Sequence, residues 1–193
     1  MCSHRVAVLF VQGGGVGTHD ECDNTLVDSL RTGLGPGHEV RYPQMPDEGD
    51  PSYPRWSAAI GREMAHLDEG EVVAGHSIGG TILVQALIDR PPERKLAAIV
   101  LIAAPFVGPG GWPGDDFEFS GDLGDMLPAG VPVHVFHGAQ DETAPSTHAG
   151  LYADAIPRAV VHMLSGRDHQ LNGDLSEVAL AIRGLTLPDR TRS

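Results

Sequence analysis

Residues 72–80 read VVAGHSIGG, and the reading of this stretch decides the fold. Gly75-His76-Ser77-Ile78-Gly79 has the spacing of a nucleophile elbow, in which small residues two places on either side of a serine let the backbone crowd a sharp turn. In a chain with 25 glycines the pattern arises easily by chance, so its context must carry the argument. That context is a strand before the motif and a helix after it. GluValValAla at 71–74 supplies an apolar, β-branched run, and IleGlyGlyThrIleLeuValGlnAlaLeuIleAspArg at 78–90 supplies apolar residues at helical spacing. A Ser77 so placed projects from the carboxyl edge of a sheet beside a helix N-terminus, where open α/β sheets bind ligands. A serine that merely caps the following helix satisfies the same local geometry.

Outward from the elbow, short β-branched runs alternate with amphipathic stretches, as in a parallel α/β sheet. The strand candidates are Val6–Val11, Glu39–Tyr42, Glu71–Ala74, Ala97–Ile102, Pro132–Phe136 and Ala159–Leu164. Between them, Trp56, Ile60, Met64 and Leu67 fall on one helical face, as do Ile78, Ile82, Leu83, Ala86 and Leu87, with Pro91-Pro92 as the stop. The last helix opens at Asp174 with Glu177 three residues on, an Asp-led relative of the capping box, and buries Leu175, Val178, Ala179 and Ile182. The stretch 105–130 is a Gly/Pro/Asp-rich excursion between the fourth and fifth strands, and loops of that length tend to be functional.

The chain has 193 residues, 41% of them hydrophobic, which suits one well-buried core. We read a single domain over 1–187 and a polar tail over 188–193. A net charge of −13 argues against nucleic acid or an anionic membrane as the main partner. Cys2 and Cys22 form no disulfide framework, which points to a reducing compartment and makes the cytoplasm the expectation. The apolar stretch near the N-terminus is too short for a signal peptide, and no run approaches membrane-spanning length.

A serine hydroxyl needs a base and an acid to orient that base. PheHisGlyAlaGlnAspGluThrAlaPro at 136–145 places Asp141 just past the fifth strand, and LeuSerGlyArgAspHisGlnLeu at 164–171 places His169 between the sixth strand and the last helix. Asp168 and Glu142 compete for the acid role, but neighbours on a tight loop point apart, so Asp141 is favoured. An oxyanion hole requires backbone N–H groups aimed at the developing charge. Ile78 offers one; the loop ValGlnGlyGlyGlyValGly at 11–17 offers the other at Gly14, with Gly13 beside it. That loop lacks the Gly-Lys-Ser/Thr of a P-loop, and position 18 is threonine where a dinucleotide fingerprint needs glycine.

Of the other histidines, His76 is expected to pack or bond locally, and His137 and His162 to be structural. His19 stands near enough to line the site, though capping of the first helix by Asp20 is the favoured role for that pair. The histidines have no metal-ligand spacing, so no metal is expected.

VVAGHSIGG, FHGAQDETAP and GRDHQL together resemble the α/β-hydrolase superfamily over nearly the whole chain, specifically its small lidless serine hydrolases of the retinoblastoma-binding-protein-like and dienelactone-hydrolase-like group. The resemblance implies a minimal six-stranded parallel sheet of order 2-1-3-4-5-6 with helices on both faces and no substantial cap. It also implies Ser77, Asp141 and His169 as a catalytic triad that needs no cofactor. Gln12-Gly13 stands where the family usually has His-Gly, which leaves the donor within the glycine loop open. Trp112, Phe117 and Phe119 are candidates for an apolar substrate wall, with burial over the sheet edge as the competing reading. The expected activity is ester hydrolysis of a small molecule; thioester or amide hydrolysis, or a binding module on the same scaffold, are the alternatives. The sequence leaves oligomeric state open.

Overall fold

In a computed structural model of the chain, residues 5–119 and 121–186 are described; the tail 188–193 and Cys2 lie outside them. Six parallel strands form one sheet in the order β2-β1-β3-β4-β5-β6. They are β1 (Val6–Val11), β2 (His38–Arg41), β3 (Val72–His76), β4 (Ala98–Ile102), β5 (Val133–Gly138) and β6 (Ala159–Leu164). The helices are α1 (Asp23–Leu34), α2 (Tyr53–Met64), α3 (Ser77–Asp89), α4 (Leu123–Met126), α5 (Thr147–Ala155) and α6 (Ser176–Thr186).

The central strands are apolar at nearly every position because helices cover both faces. Successive side chains point to opposite sides, and they divide into two cores. Leu9, Val73, Ile99, Leu101 and Val135 pack with Trp56, Ile60, Leu83, Leu87 and Tyr152 of α2, α3 and α5. Val8, Phe10, Ala74, Val100, Ile102 and Phe136 pack with Leu26, Val27 and Leu30 of α1 and with Val178 and Ile182 of α6.

Strand ends differ from the sequence reading where backbone hydrogen bonding, not composition, sets the limit. β3 runs on through Gly75 and His76, because His76 pairs with Ile102 of β4. β5 starts one residue later than expected: the Pro132 carbonyl accepts the Ile99 N–H at 2.9 Å, but proline has no N–H to continue a ladder. Glu71 likewise stands before β3, where its buried carboxylate accepts the N–H groups of Ala7 at 3.2 Å and Asp68 at 2.8 Å.

The first helical segment also corrects the sequence reading. A π-helical turn over Thr18–Cys22 precedes α1, entered through Gly17 at φ 79°. Asp20 therefore sits inside that turn and does not cap α1; its side chain is 78% exposed and pairs with His19. At the other end of the chain, Asp174 accepts the Ser176 N–H at 2.9 Å, while Glu177 turns to Arg167 instead of closing a capping box.

The excursion after β4 folds down onto the sheet instead of rising as a helical cap. Phe106, Phe119, Leu123 and Leu127 enter the first core, and the Pro105 carbonyl is held by Thr81 Oγ1 at 2.6 Å and the Tyr152 hydroxyl at 3.0 Å. Among the described residues, no helix is long and apolar enough to cross a membrane.

Candidate active site

Ser77 stands where β3 ends and α3 begins, with φ 51°. A left-handed conformation is unfavourable for a residue with a side chain, and the packing around the turn enforces it. A Cβ on Gly79 would lie 1.9 Å from the Gln12 carbonyl oxygen, and one on Gly75 would lie 2.5 Å from the Gly80 Cα. The strand, the turn and the helix thus touch backbone to backbone, which only glycine permits.

Two loops from distant parts of the chain meet this serine. His169 Nε2 is 3.0 Å from Ser77 Oγ, and His169 Nδ1 is 2.7 Å from Asp141 Oδ2. Asp141 is fixed in turn: its Oδ1 accepts the N–H groups of Thr143 at 2.9 Å and Ala144 at 2.8 Å. The loop carrying His169 is tied to that of Asp141 by Gln140 N–H to the Arg167 carbonyl at 2.9 Å. Just beyond His169, Leu171 and Asn172 adopt φ of 47° and 57°, so a strained turn sets the direction of the loop. Asp168 and Glu142, the competing acids, are exposed; Asp168 accepts the Asn172 N–H.

Burial holds the His169 imidazole below its ordinary value of 6.5, and the neighbouring His76 adds to this against the opposing pull of Asp141. A ring that resists protonation is unprotonated near neutral pH, the state a general base requires.

In the glycine loop the structure separates two neighbouring candidates. The Gly13 N–H donates to Asp23 Oδ2 at 2.7 Å, so Gly13 is not free to hold a ligand; this corrects its nomination. Gly15 N–H goes to the Glu48 carbonyl at 2.7 Å. For the Gly14 N–H no acceptor occurs among the described residues. A Cβ at Gly14 would lie 2.9 Å from both Ile78 Cγ2 and Pro51 Cγ, so Gly14 sits directly against Ile78. The Ile78 N–H belongs to the first turn of α3, where helical N–H groups lack intrahelical acceptors.

The loop is braced around Glu48, a residue the sequence did not single out. Gln12, fully buried, donates to Glu48 Oε2 at 2.7 Å and accepts the Met45 N–H at 2.8 Å. Glu48 also accepts the N–H groups of Gly17 at 2.7 Å and His19 at 3.0 Å. His19 belongs to this brace and not to a substrate wall: its ring stacks on Tyr42 at 4.1 Å, with its nitrogens beside Asp20 and the Tyr42 carbonyl.

The aromatic wall is likewise revised. Phe119 is 3% exposed and packs on Phe106 and Tyr152, so it is core. Phe117 is half-buried against Tyr53 and Phe119. Trp112 alone keeps an open face, at 37% exposure, with its edge on His148. A cavity of about 780 Å³ opens beside His169, lined by Gln140, Asp141, Glu142, Thr143, Asp168 and Gln170. A more apolar groove of about 580 Å³ lies between the ends of α2 and α3, around Met64, Leu67 and Pro91, and touches none of Ser77, Asp141 or His169.

Two further histidines are structural in their contacts. His137 is fully buried with Nε2 2.9 Å from the Ala144 carbonyl and 3.1 Å from Asp141 Oδ2. His162 stacks on Phe136 at 4.2 Å and meets His134 across the strands. No group of three or more possible ligands is arranged for a metal among the described residues.

This architecture is the α/β-hydrolase fold. Solved structures that share it include a predicted CIB-like hydrolase from Thermoplasma acidophilum (TM-score 0.69, 15% identity, 96% of this chain and 88% of that one). Others are the carboxylesterase CesB from Bacillus subtilis (0.66, 12%, 92% and 83%) and a monoacylglycerol lipase from Paleococcus ferrophilus (0.62, 14%, 93% and 93%). By sequence, no family model and no curated protein matches the chain.

Proposed function

We propose that the protein is a serine hydrolase that cleaves carboxylic esters through an acyl-enzyme, in the manner of the small lidless members of the fold. The observation that carries this reading is the hydrogen-bonded series from Ser77 Oγ through His169 to Asp141 at 3.0 and 2.7 Å, set on a serine at φ 51°. Likeness in fold to an esterase and a lipase supports it.

In this scheme His169 Nε2 takes the Ser77 proton as Oγ attacks the ester carbonyl, and Asp141 holds the tautomer and balances the imidazolium. Gly14 and Ile78 N–H groups receive the oxyanion; one such donor is worth about 100-fold to 1000-fold in turnover. Collapse of the tetrahedral adduct expels the alcohol, which takes the proton from His169. A water then gives its proton to His169 and attacks the acyl carbon, and collapse of the second adduct releases the acid as His169 returns the proton to Ser77 Oγ. Thioesters and amides meet the same chemistry, and a panel of matched acyl substrates separates them.

The test is fluorophosphonate treatment followed by mass spectrometry, with p-nitrophenyl ester turnover in parallel. Labelling at Ser77, absent in a folded Ser77→Ala variant, is expected; labelling at another residue overturns the assignment of Ser77, and no labelling of the folded protein overturns the reading in favour of a binding module.

A further inference from the structure

Behind the catalytic series lies a second histidine–aspartate contact that acyl transfer does not use. His76 is 1% exposed and Asp23 is fully buried. His76 Nδ1 is 3.0 Å from Asp23 Oδ2, and its Nε2 is 3.1 Å from the backbone carbonyl oxygen of His169. Both ring nitrogens therefore face acceptors. A neutral imidazole has one N–H and one lone pair, so with Asp23 ionised only the doubly protonated ring satisfies both partners. The same Asp23 oxygen accepts the Gly13 N–H at 2.7 Å. One carboxylate at the start of α1 thus joins the glycine loop, the end of β3 and the segment that bears His169.

We propose that Asp23 and His76 form a buried carboxylate–imidazolium pair that positions both the oxyanion loop and the catalytic histidine. The proposal rests on the reading of Ser77, His169 and Asp141 as a triad. Asp23 anchors Gly13, which leaves the next N–H, that of Gly14, at the Ile78 contact. His76 anchors the backbone from which the His169 ring reaches Ser77. Neither residue touches substrate; both are positioning residues, acting through the groups they hold.

The electrostatics agree with the geometry. Burial disfavours charge on both partners, yet their attraction outweighs it, holding His76 above and Asp23 below their ordinary values. The charged and titratable groups that face His169 are His76, with ring centroids 5.1 Å apart, Asp141, and His137 on the far side of the Asp141 carboxylate. A cationic His76 disfavours a second cation at His169 and keeps that base unprotonated to lower pH.

Nitrogen-15 NMR of the histidine-labelled protein tests the pair without reference to activity. One histidine should stay doubly protonated at pH values above the ordinary histidine range, and that signal should vanish in His76→Gln. Absence of such a signal overturns the proposal. The Asp23→Asn variant then tests positioning. Its kcat/KM should fall by about 100-fold with Ser77 still labelled by fluorophosphonate, and the acid limb of its pH profile should move up as the neighbouring cation is lost. Loss of active fraction with an unmoved limb and undiminished turnover per labelled site would reduce Asp23 to a structural role and overturn the proposal. Should Asp23→Asn fail to fold, His76→Gln keeps an N–H at the reach of Nε2 but carries no charge; an unmoved acid limb there is equally decisive against it. A wild-type protein that leaves Ser77 unlabelled instead sinks the triad reading, while the NMR signal still judges the pair.

Discussion

At Ser77 a single torsion carries a cost and, under the proposed function, the chemistry. A left-handed serine stores of order 1–3 kcal/mol, whereas glycine adopts φ 51° without steric cost but loses more entropy on folding. Ser77→Gly is therefore expected to gain about 1 kcal/mol of stability in chemical denaturation while losing the proposed esterase activity. Asp141→Asn should leave the fold intact and lower turnover by about 10⁴-fold, because an amide cannot hold the tautomer that His169 needs. Asp168→Asn, at an exposed side chain bonded within its own loop, should change turnover less than about twofold if that assignment holds. In the wild type, the acid limb of kcat/KM should fall below the ordinary histidine value of 6.5, the direction set by burial of His169 and by His76; a limb above that value contradicts the local electrostatics.

Among the elements, the glycine loop between β1 and α1 depends on a neighbour from another part of the chain. Glu48 accepts from Gln12 Nε2, Gly17 N–H and His19 N–H, and its own backbone carbonyl accepts the Gly15 N–H. Its carboxyl is held below the ordinary range: those hydrogen bonds, led by Gln12, overcome the desolvation that opposes them. Truncation in Glu48→Ala strands three donors, each at a cost of about 1 kcal/mol or more where water cannot replace the bond. We expect a lower melting temperature and a fall in kcat/KM of about tenfold to 100-fold as Gly14 loses its placement, with the position of the acid limb unchanged. That last feature separates the brace from the Asp23–His76 pair, which adjoins His169 directly. The excursion over 105–130 plays a comparable part for the core, since Phe106 and Phe119 pack on Tyr152 of α5.

Across the whole molecule, the buried pair links pH to stability from both sides. Asp23 has a lowered value when folded, so its contribution is present above the ordinary carboxylate range and is lost as pH falls through the folded value. His76 has a raised value, so its contribution is present below the ordinary histidine range and is lost as pH rises through the folded value. Melting temperature measured against pH should thus be flatter on both flanks in Asp23→Asn than in the wild type; equal curvature would mean that the pair contributes little. The alternation of apolar runs and amphipathic stretches made the parallel sheet legible, and Val6–Val11 and Ala159–Leu164 coincide with their strands. Of the other strand ends, all but Ile102 of β4 shifted, because partners across the sheet, unseen in a local reading, decide where a ladder stops. Phe119 shows the same gap: its residue type suits a substrate wall or a core, and only packing against Phe106 and Tyr152 decides between them. Asp23 had no local signature at all, because the partners that give it meaning stand at Gly13 and His76, ten and 53 residues away. By itself the sequence determined the architecture and the order of the chemically able residues, since periodicity and motif spacing are local properties of the chain. Only the tertiary structure decided which N–H groups are spent and which stand open, and which histidine faces Ser77 and which faces Asp23, because hydrogen bonding and burial are settled between segments that meet only when the chain is folded.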